Sequence, residues 1–279
     1  MKMKTIFHLL GWKPKVREYG FELNRFHLAD EGDVEYAQWL HPKDTKKQIL
    51  QADVDQLKSF LNEGDVAIDI GAHTGDSTIP IALAVGRQGK VLALEPNPYV
   101  FKILEKNACL NTDKTNIDPL MFAATEHDAT LEFEYSDAGF CNGGRHEGVS
   151  RWIHGHAFTL LVKGRNLDRY MRTERRELLP RLRFIKIDAE GYDCSIVQSM
   201  RGLISETQPY LKSEIYKYTD QGQRVKFFRC LRDLGYRVHR VRSESDCFGE
   251  PISDRNLMDW RHYDIMCIPE AAQPVLQAG

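Results

Sequence analysis

Apolar positions along this chain change their period repeatedly, and each change predicts an element. FELNRFHLADEGDVEYAQWL predicts two short strands around an Asp-Glu-Gly-Asp turn. From Asp44 to Leu61, apolar residues at Ile49, Val54, Leu57 and Phe60/Leu61 keep helical spacing. Val66–Ile70 is an apolar run broken only by Asp69, as expected of a strand buried on both faces. A helix is predicted from Asp76 to Val85, stopped by Gly86 and tolerant of Pro80 near its first turn. VLALE, Val91 to Glu95, reads as the next strand. Asn97-Pro98 then supplies a cap and a proline at the first helical position, with Phe101, Leu104 and Ala108 on one face. A third strand is expected near Pro119–Ala123.

After that the alternation pauses. Leu131, Phe133 and Tyr135 alternate with polar residues, GFCNGGRHEG reads as a loop, and a second strand is expected at 157–162. Residues 130–163 therefore form a β insertion with a polar tip. RFIKID, a helix through Tyr192–Met200, LKSEIY, a helix over Arg224–Leu234 closed by Gly235, YRVHRV and YDIMCIP complete the pattern. Strands alternating with helices predict an α/β, Rossmann-like fold: a mostly parallel sheet with helices on both faces. Three parts are expected: an accessory segment over 1–60, a catalytic domain over 61–270 carrying the insertion, and a tail over 271–279.

Composition narrows this picture modestly. At 279 residues, with 42% hydrophobic and 28% charged, the chain is an ordinary globular protein. A net charge of −2 argues against nucleic acid as partner. The opening MKMKTIFHLLGWKPK is too short in its apolar part to span a bilayer, and no small-residue cleavage site follows, so neither a membrane partner nor a signal peptide is expected. Six scattered cysteines without a Cys-x-x-Cys suit reduced thiols and a cytoplasmic location.

The chemistry gathers at strand ends, where such sheets bind ligands. In Asp69-Ile-Gly-Ala-His-Thr-Gly75, two glycines strip Cβ atoms from a strand-to-helix turn, letting a ligand approach the backbone N–H groups. Glu95, twenty residues past Gly75, ends the next strand and can accept two hydrogen bonds from a ribose diol. The spacing is Gly-x-x-x-Gly, without the pyrophosphate glycine of a dinucleotide fingerprint. An acid before the loop repels a phosphate and suits a cationic amino-acid moiety. S-adenosylmethionine has that moiety and a sulfonium.

GDVAIDIGAHTGDSTIPIA, LALEPNPYVFKILEKNACLN and FIKIDAEGYDCSIVQSM, with VKGRNLDRYM between the last two, resemble the FkbM-type S-adenosylmethionine-dependent methyltransferases from about Leu57 to Ile215. The resemblance implies a class I methyltransferase fold: a seven-stranded sheet with an antiparallel final strand. It also implies methyl transfer to a hydroxyl of a small molecule, often a sugar or polyketide. His73 stands where that family more often has Asn, and Ala189 where Val is common.

Beside that resemblance, Gly71, Ala72, His73 and Gly75 are expected against the methionine part, with Asp69 orienting the amino group. Glu95 should hold the ribose with Asn97 close by, and Ala123 should leave room for the adenine edge. Lys186, Asp188 and Glu190 of KIDAEG, together with Glu214 of KSEIY, are the catalytic candidates. Either a carboxylate or histidine removes the acceptor proton without metal, which is the favoured reading, or Asp188, Glu190 and Glu214 gather a divalent cation.

His146, His154 and His156 read as loop histidines. GFCNGGRHEGVSRW, with Trp152, is either a sugar-stacking lid or a connector. RNLDRYMRTERRELLPRLR, with Asp168, Glu174 and Glu177 interspersed, reads as a salt-bridged solvent face rather than an anion site. The expected activity is O-methyl transfer to a carbohydrate or small natural product, with oligomeric state left open. The rivals are a nicotinamide-dependent oxidoreductase and a non-enzymatic glycan-binding module on the same scaffold.

Overall fold

The computed structural model describes residues 17–135, 143–144 and 158–272. In chain order it contains β1 (Phe21–Leu28), β2 (Gly32–Trp39), α1 (Gln51–Lys58), β3 (Val66–Ile70), α2 (Thr78–Val85), β4 (Lys90–Leu94), α3 (Pro98–Ala108) and β5 (Ile117–Leu120). A second group follows: β6 (Ala123–Ala124), β7 (Ala129–Tyr135), β8 (Gly143–Gly144) and β9 (Phe158–Arg165). Then come α4 (Leu167–Glu174), β10 (Leu182–Ile187), α5 (Asp193–Ser199), α6 (Arg201–Thr207), β11 (Tyr210–Ile215), α7 (Gln221–Asp233), β12 (Tyr236–Arg240) and β13 (Tyr263–Pro269).

Seven strands make the main sheet in the order β12-β13-β11-β10-β3-β4-β5. All neighbours are parallel except β13, which runs antiparallel to both β11 and β12. This is the α/β, Rossmann-like class I methyltransferase arrangement, with its strand order reversing beside β3 so that a crevice opens at the strand ends. One face carries Ile68, Leu92, Ile185 and Leu211, packed under α4 to α7. The other carries Ala67, Val91, Phe184 and Met266, packed with Phe60, Leu61 and α2. Each fully buried aliphatic side chain here stabilises the fold by about 1.5–3 kcal/mol.

The β1–β2 hairpin sits on the second face through side chains that imitate a neighbouring strand. Asn107 in α3 donates to the Ala37 carbonyl (3.1 Å) and accepts from the Ala37 N–H (2.7 Å), and Asn111 does the same for Glu35 (2.8 Å each). Ala37 and Trp39 pack on Val100 and Ile103, while Tyr36 packs with Ile49, Val54 and Ile79.

Two elements depart from the sequence reading. The helix expected over Asp44–Leu61 is helical only from Gln51, because the Gln38 side chain captures the preceding backbone. It accepts from the Lys47 N–H at 2.7 Å and donates to the Asp44 carboxylate at 2.9 Å. The third strand stops at Leu120, where the Phe122 N–H turns back to the Leu120 carbonyl, so Ala123 joins a separate sheet of order β6-β9-β7-β8. The run read as an arginine-rich solvent face contains α4, and Asp168 within it accepts from the Leu203 N–H (2.6 Å) at the start of α6. Its arginines are indeed salt-bridged: Arg172 to Asp168 and Glu206, and Arg175 to Asp118.

Candidate active site

Gly71 follows β3 with φ +77°, and a Cβ there would lie 2.1 Å from the Asp188 carbonyl oxygen. The Gly71 and Ala72 N–H groups both reach the Leu94 carbonyl (3.0 and 2.9 Å), folding the loop over the end of β4. His73 (φ 51°) and Gly75 (φ 97°) continue the left-handed turn. The loop is held from outside the sheet. Tyr36 and Thr74 share a buried hydroxyl–hydroxyl hydrogen bond of 2.7 Å, and Asn107 donates to the Thr74 carbonyl at 2.7 Å. Trp39 meets the His73 ring edge-on at 6.0 Å.

Glu95 is buried at the end of β4. Its two oxygens accept separately from the His73 N–H (3.1 Å) and the Asn97 N–H (2.8 Å). Burial pushes its carboxyl up to about 7, against the pull of those two N–H groups. Asn97 caps α3 by accepting from the Tyr99 N–H at 3.0 Å. Ala123 lines a small, mostly apolar cavity of about 110 Å³ with Phe122, Ala124, Ile196 and Glu95.

Asp69 is fully buried and already engaged. One oxygen accepts from Ser77 (2.8 Å) and Thr78 (2.7 Å), while the other accepts from Lys186 (3.2 Å). Lys186 also faces Asp188 at 3.7 Å. Burial opposes its charge, yet Asp69, Asp188 and Asp76 outweigh burial and raise its pKa. Lys47 reaches Asp76 at 2.8 Å, so the loop's second aspartate is paired as well; that pairing beats burial and keeps Asp76 ionised. Burial lowers His73 to about 4, which leaves a neutral imidazole at neutral pH.

Glu190 (φ 51°) follows β10 in the turn and borders both the small cavity and a larger one of about 660 Å³. Burial, reinforced by Asp188, raises its pKa. Glu214 lies deeper. Burial and the neighbouring Asp188, Glu190 and Asp193 raise it to about 9, and His262 contacts it at 3.2 Å. The four catalytic candidates thus fall at the ends of β10 and β11, but in two environments. Lys186, Asp188 and Glu190 line the larger cavity, whereas Glu214 does not. Among the described residues, no three His, Cys, Asp or Glu side chains converge as metal ligands, and no helix is long and apolar enough to cross a membrane. His146, Trp152, His154 and His156 lie outside the described residues.

Sequence reasoning missed Tyr36, Asn107 and Lys47, whose partners lie 29 or more positions away along the chain. The Ser77-Thr78 pair was a usable signal, since two hydroxyls opening a helix soon after a strand with a buried acid can donate to that acid, as both do to Asp69.

A 56-residue stretch is 38% identical to the protein-L-isoaspartate O-methyltransferase of Caenorhabditis elegans, covering 20% of this chain and 25% of that protein. The crystal structure of Methyltransferase FkbM from Methylobacillus flagellatus KT superposes with TM-score 0.46 at 14% identity, over 75% of this chain and 47% of that one. Aeropyrum pernix fibrillarin, solved with natively bound S-adenosyl-L-methionine, gives TM-score 0.43 at 14% identity, over 91% of this chain and 99% of that one. This chain therefore spans a quarter of the curated relative and about half of the first crystallised chain, and at such TM-scores the two structures are likenesses of outline only. The methyltransferase FkbM domain family itself matches residues 69–238, more than half of the chain. The chain belongs to the FkbM methyltransferase family.

Proposed function

We propose that the protein is an S-adenosylmethionine-dependent O-methyltransferase acting on a hydroxyl of a carbohydrate or small natural product. The observation that carries this reading is the junction of the two cavities: both are bordered by Gly71, Glu95, Asp188 and Glu190. The small cavity beside Ala123 suits an adenine ring. Glu95, with each oxygen holding one backbone N–H, has lone pairs left for a ribose diol. The bare backbone of Gly71 and Ala72 would lie along the methionine part. Asp69 acts on that part through the loop, because its carboxylate is occupied by Ser77, Thr78 and Lys186.

When bound, the cofactor supplies a sulfonium-activated methyl for in-line transfer to the acceptor oxygen. The chain's own residues hold the acceptor and take its proton. Glu190 stands at the junction with its pKa raised toward the operating range of a general base. Asp188 and Lys186 orient the acceptor from the adjacent wall. Glu214 remains protonated at neutral pH and can donate a hydrogen bond but cannot accept the proton. Positioning two reactants contributes up to roughly 7–11 kcal/mol, so this geometry outweighs the base, which is worth about 10²–10⁴ in rate.

Calorimetric titration with S-adenosylhomocysteine and with NAD tests the cofactor: binding of NAD alone would refute the reading. For transfer, Glu190→Gln should lower kcat by at least about 100-fold while cofactor affinity stays within a few-fold. Activity is expected to survive exhaustive chelation.

A further inference from the structure

The larger cavity changes character in rows across the sheet. Residues two apart on a strand share a face, so strand register sorts the lining by depth. At the mouth stand Asp188 and Asp264, beyond the ends of β10 and at the start of β13. One row deeper, Lys186 lies in register with Lys212, and Lys212 with Met266. One row deeper again is Phe184, edge-on to Phe60 at 5.5 Å, with Leu57 beside them. The wall therefore runs from carboxylates through lysines to an aromatic floor.

Both lysines of the middle row are already matched. Lys186 lies between Asp69 (3.2 Å) and Asp188 (3.7 Å). Lys212, almost fully buried, is gripped by both oxygens of Glu244 (2.6 and 2.7 Å) and faces Asp264 at 3.6 Å. Glu244 itself is mostly exposed, with its side chain 62% accessible, and covers Lys212 from the open side. Among the described residues of the lining, eight acidic side chains accompany five lysines. A concave, partly desolvated site with that balance repels a phosphate or carboxylate and attracts an ammonium.

We propose that this cavity is the acceptor site, that it takes an uncharged or amine-bearing polyol with an apolar portion, and that Glu244 sets the charge preference by neutralising Lys212. The proposal rests on the methyl-transfer reading above. The reacting hydroxyl lies at the mouth beside Asp188 and Glu190, neighbouring hydroxyls meet the paired charges of the middle row, and the apolar portion reaches Phe60 and Phe184. Glu244 is a specificity residue and touches no reacting atom.

The test uses three octyl probes on protein saturated with S-adenosylhomocysteine: N-octylglucamine, octyl β-glucoside and octyl phosphate, each titrated below its micellar concentration by calorimetry. The wild type should bind N-octylglucamine at least about tenfold more tightly than octyl phosphate, with the glucoside between them. Glu244→Gln, at an exposed side chain and with Asp264 still facing Lys212, uncovers Lys212 and should narrow that gap at least about fivefold. Octyl phosphate binding as well as the amine, no probe binding, or an unchanged ratio in Glu244→Gln would overturn the proposal. The S-adenosylhomocysteine titration run first separates the two levels: a protein that binds it yet fails the ranking loses only the acceptor inference, and one that does not bind it loses the methyl-transfer reading beneath.

Discussion

Lowering the pH from 8 to 6 should weaken cofactor binding about tenfold, and Glu95 should be the cause. Its carboxyl is buried, forms no ion pair among the described residues, and is held at about 7 by that burial. Only the ionised form can accept the His73 and Asn97 N–H groups and a ribose diol together. A group with that pKa is about nine-tenths ionised at pH 8 and one-tenth at pH 6, so the dissociation constant for S-adenosylhomocysteine should rise by about that ratio. Among the neighbours, His73, at about 4, stays neutral throughout and Lys186 stays charged, whereas burial also raises Glu190 at the same junction, so the comparison with Glu95→Gln isolates Glu95. Asp193 also titrates near 7 but is turned toward Ser213, away from both cavities. The stability sign is opposite to the binding sign. Because the folded pKa lies above the unfolded one, near 4.5, Glu95 makes the unliganded fold less stable as pH rises from 4.5 to 7. Calorimetry across pH 5.5–8.5 on wild type and Glu95→Gln is the assay. The variant should bind roughly 10–100-fold more weakly at pH 8, since it loses a charge-assisted acceptor, and should show no slope. A flat wild-type profile, or the same slope in the variant, would refute the assignment.

Gly71→Ala should destabilise the fold by more than about 2 kcal/mol, because its Cβ would collide with the Asp188 carbonyl at 2.1 Å in a left-handed backbone; chemical denaturation measures this. Tyr36→Phe removes the hydroxyl partner of Thr74 and should cost about 1 kcal/mol of stability. It should also weaken S-adenosylhomocysteine binding several-fold, which a purely structural hydrogen bond would not do. Glu214, raised to about 9, favours the fold at low pH and loses that contribution as pH climbs through 9. The thermal midpoint should therefore fall from pH 7 to pH 10, and Glu214→Gln should flatten the fall.

What the chain announces in sequence is what it builds locally. Val66–Ile70 followed by Gly71, and Asn97-Pro98 opening a helix, each fix a turn within a few residues, and both stand where the pattern puts them. The β insertion is legible for the same reason, its alternation surviving in the β7–β9 pairing. Long-range side-chain capture is not legible. Gln38 unwinds the segment before α1, and Asn107 and Asn111 attach a hairpin some 70 residues upstream through contacts that leave no periodic trace. Thus the accessory segment reads as an appendage, although Tyr36 lies against the central loop. Likewise the carboxylates of KIDAEG and KSEIY look alike in sequence, and only the fold shows that Glu190 borders both cavities while Glu214 borders neither.

The central claim is that the crevice around Gly71 and Glu95 holds S-adenosylmethionine, and a crystal structure grown with S-adenosylhomocysteine tests it most directly. The account predicts the ribose diol on Glu95, the adenine beside Ala123 and the sulfur facing Asp188 and Glu190. A ligand bound away from Glu95, or none at saturating concentration, would contradict it.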